Sequence, residues 1–114
     1  MTTHTPGPWH WGHNSASDAS TACIEIRPDG PYRGNVADLQ SCEHIMGITM
    51  AETEANARLI AAAPELLEAL IGALKALEAI GDEMTVGERY TNAGEYLIDA
   101  LMPSRVAIVK ATGV

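Results

Sequence analysis

The chain has no phenylalanine, and its aromatic side chains are limited to Trp9, Trp11, Tyr32, Tyr90 and Tyr96. A core must therefore be assembled from Leu, Ile, Val, Met and Ala, which favours closely packed helices, within the chain or between copies. Cysteine is scarce too: Cys23 and Cys42 are too few for a disulfide framework and lack CxxC spacing, so reduced, half-buried thiols are expected. Long apolar runs are missing, the longest holding only a handful of residues against the roughly 20 that a membrane-crossing helix requires. The opening Met-Thr-Thr-His-Thr-Pro has neither the basic nor the apolar region of a signal peptide. These absences predict a soluble, cytoplasmic protein with no membrane partner.

Positive charge is the other shortage. Seven Lys and Arg stand against 15 Asp and Glu, a formal charge of −8. Residues 1–50 carry five acids and two bases, residues 51–99 ten acids and three bases, and residues 100–114 only Arg105 and Lys110. The acidic half repels phosphate backbones, which argues against direct DNA or RNA binding and leaves a basic protein as the charge-matched macromolecular partner.

What is present fits one domain over residues 1–114, strand-rich over 1–49 and helical over 50–114. Thr5-Pro-Gly-Pro leads into Trp9-His-Trp-Gly-His13, whose alternation places Trp9, Trp11 and His13 on one strand face. Residues 22–27 alternate again, with Ala22, Ile24 and Ile26 opposed to Cys23, Glu25 and Arg27. Pro28-Asp-Gly-Pro31 supplies a turn, residues 35–39 a returning strand, and residues 43–49 a third or fourth strand, making a small antiparallel meander.

The period then changes. Thr49-Met-Ala-Glu52 matches a capping box, with Thr53 as a second candidate cap. Pro64 lacks an amide hydrogen, so one short helix should end near Ala62 and another run over residues 64–80, with Gly81 as its terminating residue. Leu67, Leu70, Leu74 and Leu77 recur at spacings of three and four, and Leu66 and Ile71 widen the apolar face. Thr85-Val-Gly-Glu88 caps a third helix carrying Tyr90, Ala93, Leu97 and Leu101, which Pro103 should interrupt; a kinked or separate segment follows. The short link implies an antiparallel helical hairpin. The fold class expected is α+β: an antiparallel sheet of three or four strands packed against two or three helices.

Few constellations carry chemistry. His10 and His13 fall on opposite faces of their strand, no zinc-deaminase or hydrolase motif is present, and no Gly-rich phosphate loop occurs. Neither catalysis, a metal nor a cofactor is expected. Arg58 can pair with Glu54 or Glu65, or its planar fork can clamp a phosphate or carboxylate. Asn56, two residues away and about 200° around the helix, cannot serve the same point unless the backbone bends. Trp9 and Trp11 can anchor the sheet to the helices or form a stacking platform, with Arg27, Tyr32, Arg33 and Arg58 as companions. The alanines at 61–63 allow close helix packing inside the fold or at a dimer interface. A small sheet is insufficient to cover them and the wide leucine face together, which points to a homodimer or higher homo-oligomer.

Three stretches also carry a resemblance. Thr5-Pro-Gly-Pro-Trp9, Asn56-Ala-Arg-Leu-Ile-Ala-Ala-Ala-Pro-Glu-Leu-Leu67 and Ala107-Ile-Val-Lys-Ala-Thr-Gly113 resemble the opening, middle and ending of a family of small phage and prophage proteins. The resemblance implies an accessory gene of phage origin, a class rich in counter-defence proteins, acting in the host cytoplasm. The expected function is a non-enzymatic host-defence antagonist that sequesters a small nucleotide-like signalling ligand through Trp9, Trp11, Arg27, Tyr32, Asn56 and Arg58. Its rivals are an acidic, anti-CRISPR-type inhibitor that binds a basic host protein, and a regulatory or structural phage dimer.

Overall fold

The computed structural model describes residues 4–31 and 34–113. Strands β1 (Trp9–His13), β2 (Thr21–Pro28) and β3 (Ala37–Cys42) form an antiparallel sheet in the order β1-β2-β3. Among the described residues five helices follow: α1 (Glu43–Met46), α2 (Met50–Ala61), α3 (Ala63–Glu83), α4 (Val86–Arg89) and α5 (Asn92–Thr112). The fold is α+β. Two compact units divide between Glu65 and Leu66, inside the first turn of α3, so that α2 belongs with the strands rather than with the later helices.

In the first unit, register decides which side chains meet. Trp11 stands opposite Ile26 and Ile26 opposite Ala37; His13 stands opposite Ile24 and Ile24 opposite Leu39. Residues directly opposite in an antiparallel pair share a face, so these rows, with Trp9, Ala22 and Ser41, make one continuous inner surface. Helix α2 lies on it, and Ala22, Ile24, Ile26 and Ala57 are the buried cluster, with Val36, Met50 and Ile60 packed around them. The small side chains of Ala57 and Ala61 face the sheet and let the helix backbone approach it closely.

Polar groups in this core are satisfied locally. Thr53 Oγ1 donates to the Thr49 carbonyl at 3.0 Å, and the buried Ser41 hydroxyl lies 2.5 Å from Thr53 Oγ1. Since Thr53 has one hydroxyl hydrogen and spends it on Thr49, Ser41 is the donor to Thr53. Thr53 is thus a core hydroxyl, while Thr49 is the cap, its Oγ1 accepting from the Glu52 amide at 3.1 Å. Helix α2 ends where Pro64 lacks a donor, and Pro64 sits in the first turn of α3, where that donor is dispensable.

In the second unit, Gly81 meets Leu97, and Arg105 Nε bonds Glu78 Oε1 at 3.1 Å. Residue numbers rise on one helix as they fall on the other, so α3 and α5 run antiparallel. Thr85 forms the full capping box with Glu88 expected from sequence. The helix that Thr85 starts is nonetheless not the one expected to carry Tyr90 through Leu101: α4 ends at Arg89, and Thr91 caps α5 anew by accepting from the Gly94 amide at 3.2 Å.

Three further expectations are corrected. Residues 43–49 are not a strand: α1 makes one helical turn closed by Gly47 at φ +69°, and Ile45 projects into solvent. A left-handed glycine ends the turn before a ladder can form. Gly81 does not end a helix, because α3 continues to Glu83. Pro103 does not interrupt α5, which runs through it to Thr112. Pro103 and Asp99, whose carbonyl loses its amide partner there, are both on the water-facing side, and Ser104 Oγ bonds the Ala100 carbonyl at 2.7 Å just beyond. Among the described residues no helix is long and apolar enough to cross a membrane.

Candidate functional site

Along one edge of the first unit, α2 and β1 stay in step. Two strand residues advance about 6.6 Å and four helix residues about 6 Å, so inward-facing strand positions can each meet the next turn of an antiparallel helix. His13 Nε2 lies 3.8 Å from Glu54 Oε1, the Arg58 guanidinium lies over the Trp11 ring at 5.4 Å from its centroid, and Trp9 comes next beside Ala61 and Ala62. Glu65, on the first turn of α3, completes the row. Trp9, Trp11, Arg58, Ala61, Ala62 and Glu65 line an open depression of about 330 Å³.

The walls are held in place by the lead-in segment. Trp9 Nε1 donates to the Thr5 carbonyl at 3.1 Å, and a Cβ at Gly7 would come within 2.7 Å of Pro64 Cβ. Only a glycine lets the chain pass that closely over Pro64. His13 has an assignable tautomer: Ser17 Oγ donates to the Cys23 carbonyl, so the 2.8 Å contact with His13 Nδ1 requires a hydrogen on that nitrogen.

The stretches 5–9 and 56–65 therefore meet in space and build one site. The family model described as Salmonella phage P22 protein Y8K6 matches residues 1–114. The chain belongs to this phage protein family. No curated protein and no solved structure matches it.

Of the residues singled out from sequence, the Y8K6-family fold brings together Trp9, Trp11 and Arg58. Arg27 is on the opposite sheet face, where its Nε donates to Glu25 Oε2 at 2.8 Å; the pair register sets Trp9 against Pro28, which turns Arg27 away from both indoles. Asn56 is exposed and lies outside the depression, on the other side of Ala57 from Arg58. Tyr32 and Arg33 lie outside the described residues. Ala61 and Ala62 were missed as companions of Arg58, although their spacing of three and four beyond it placed them on one helical flank; of the two acids expected as its partners, Glu54 meets His13 instead and Glu65 lines the same depression.

Arg58 carries the chemistry of the site. Among the described residues it has no ion pair and no hydrogen bond; its recorded interaction is with Trp11. Stacking uses the face of a guanidinium and leaves its edge donors directed outward, so the group can rest on the indole and still grip an anion. Glu65 also lines the depression, and its negative charge suits one compact anionic group better than a polyanion. Trp9 adds apolar area for a flat ring.

The second unit of the Y8K6-family chain has a depression of about 340 Å³ whose lining includes Arg89, Arg105 and Leu97. There both arginines are engaged, Arg105 with Glu78 and Arg89 with the Gly81 carbonyl at 3.2 Å. Among the described residues no group of three His, Cys, Asp or Glu is placed to hold a metal.

Proposed function

We propose that this phage protein is a non-enzymatic binding protein that holds a small, nucleotide-like ligand in the depression formed by Trp9, Trp11 and Arg58. The observation that carries this reading is Arg58 stacked on Trp11 and lining one depression with both indoles, with no ion pair among the described residues. A base or similar ring lies against Trp9 and the guanidinium, and a phosphate or carboxylate takes the outward edge donors. Among the described residues the lining offers two indoles, a guanidinium, two alanines and one carboxylate, a set suited to holding a flat anion. In the host cytoplasm such a protein would act by lowering the free concentration of a signalling molecule used in defence. Membership of a phage family supports the setting.

The test is to isolate the protein from infected cells with active defence, denature it and identify released small molecules by mass spectrometry. A nucleotide released from the wild type and absent from Arg58→Ala is the expected result. Equal release from both proteins, or release of no ring-bearing anion, contradicts the reading.

A second reading has its own support in charge. Ten acids against three bases over residues 51–99 suit a basic protein surface, such as a nucleic-acid groove of a host defence complex. The two differ in salt response: the protein complex weakens steeply with ionic strength, the ring-stacked ligand much less.

A further inference from the structure

The second unit covers little of its own apolar surface. Among its described residues only Gly94 and Leu97 are buried, and α3 buries none. A unit this small is marginal on so few buried residues. The inner side of the hairpin is accounted for, since Leu67, Leu70, Leu74 and Leu77 are half-buried along the flank of α3 that reaches Gly81. The outer side is open. On α5, Ile98, Met102, Val106 and Val109, spaced four, four and three, are 52, 62, 49 and 50 % exposed. On α3, Leu66, Ala69, Ala73, Ala76 and Ile80 form a second exposed row spaced three, four, three and four.

We propose that these rows are two halves of one interface, covered by a second copy of the chain in a four-helix bundle. In it, α3 of each copy lies antiparallel to α5 of the other. The rows fit by size: the antiparallel order that sets Gly81 at Leu97 and Glu78 at Arg105 within a chain, repeated between chains, lays Met102 and Val106 over Ala73 and Ala76. Large side chains then enter a groove of small ones. They fit by charge, because residues 100–114 carry Arg105 and Lys110 with no acid, while the start of α3 has Glu68 and no base before Lys75. They fit by extent: the half-exposed apolar side chains of both rows offer several hundred Å² per copy, the order of the ~800 Å² per partner of a standard interface. A two-fold arrangement uses both rows of both copies and leaves neither open, which a single unrelated helix would not do.

The native mass tests this directly. The wild type at micromolar concentration should have twice the 12.1 kDa mass of the chain. The double variant Met102→Glu/Val106→Glu should fall to the mass of one chain while keeping its helical circular dichroism. Ala76→Glu, on the other helix, should do the same and decides the matter if the double variant unfolds. Tyr90→Glu, 81 % exposed and off both rows, should remain dimeric. A wild type with the mass of one chain, a larger assembly, or a dimer that survives charges in both rows overturns the proposal.

Discussion

Gly94 gives a prediction in which the usual sign of a substitution reverses. In a helix, alanine is favoured over glycine by about 0.8–1.0 kcal/mol because glycine loses more backbone freedom. Gly94 sits in the first turn of α5, immediately after the corner made by α4 and the cap Thr91. A Cβ there would stand 2.5 Å from the Glu88 carbonyl oxygen, 2.6 Å from that of Arg89 and 2.7 Å from Arg89 Cα. All three are backbone atoms, so relief requires α4 to move and Thr91 to give up its bond to the Gly94 amide. Overpacking of this kind costs about 1–3 kcal/mol, and loss of an N-cap adds about 1. Set against the helical gain, Gly94→Ala should lose about 1–3 kcal/mol. Gly87, in α4 at the same corner, has nothing within 4 Å of its virtual Cβ; Gly87→Ala should be neutral or gain up to about 1 kcal/mol. Urea unfolding followed by far-ultraviolet circular dichroism should place Gly94→Ala below the wild type and Gly87→Ala at or above it. A Gly94→Ala protein as stable as the wild type would refute the close approach of α4 to α5.

Other expectations concern the sheet unit. Thr53→Val strands the Ser41 hydroxyl in the core and should cost about 1–3 kcal/mol, whereas Ser41→Ala/Thr53→Val should cost less than the two single changes together, measured as a denaturation cycle. Ile26→Ala, at a fully buried position, should lose about 2–5 kcal/mol, while Ile45→Ala at the exposed turn should stay within about 0.5. The Asp18 carboxylate accepts the Ser20 and Thr21 amides, which hold its pKa below the ordinary value, and Arg27 does the same for Glu25. Folded-state pKa values that are lowered mean stability present above the unfolded carboxylate range and lost as pH falls through it. Carboxyl carbon shifts followed by NMR should therefore show both groups titrating below the ordinary carboxylate range, and Asp18→Asn should flatten part of the acid loss of stability.

Much of the fold was legible because its determinants are local. Alternation gave β1 and β2, Thr49 and Thr85 marked helix starts, and Pro64 marked the break between α2 and α3. Gly81 and Pro103 misled because a helix interior tolerates either when its neighbours or solvent compensate. Four residues of α1 are too few for any period to distinguish a turn of helix from a strand. The site was legible in part. Alternation within each strand correctly separated Trp9 from His10 and Ile26 from Arg27, but it does not say which face of one strand matches which face of the next. That depends on register, where a shift of one residue reverses every side chain; the observed register put Arg27 behind the sheet. The partnership of Arg58 with Trp11 joins positions far apart in sequence and depends on the matched rise of α2 and β1.

The most direct measurement is intrinsic fluorescence. Trp9 and Trp11 are the only tryptophans in the chain and both line the depression, so emission reports on this site alone. Titration with a panel of mono-, di- and cyclic nucleotides should quench emission saturably for at least one of them. Arg58→Ala should weaken that ligand at least tenfold, as expected for loss of a charge-assisted contact of about 1.5 kcal/mol or more, while Asn56→Ala leaves it unchanged. Emission that responds to no nucleotide, or quenching that survives Arg58→Ala undiminished, would contradict ligand binding by the stacked arginine.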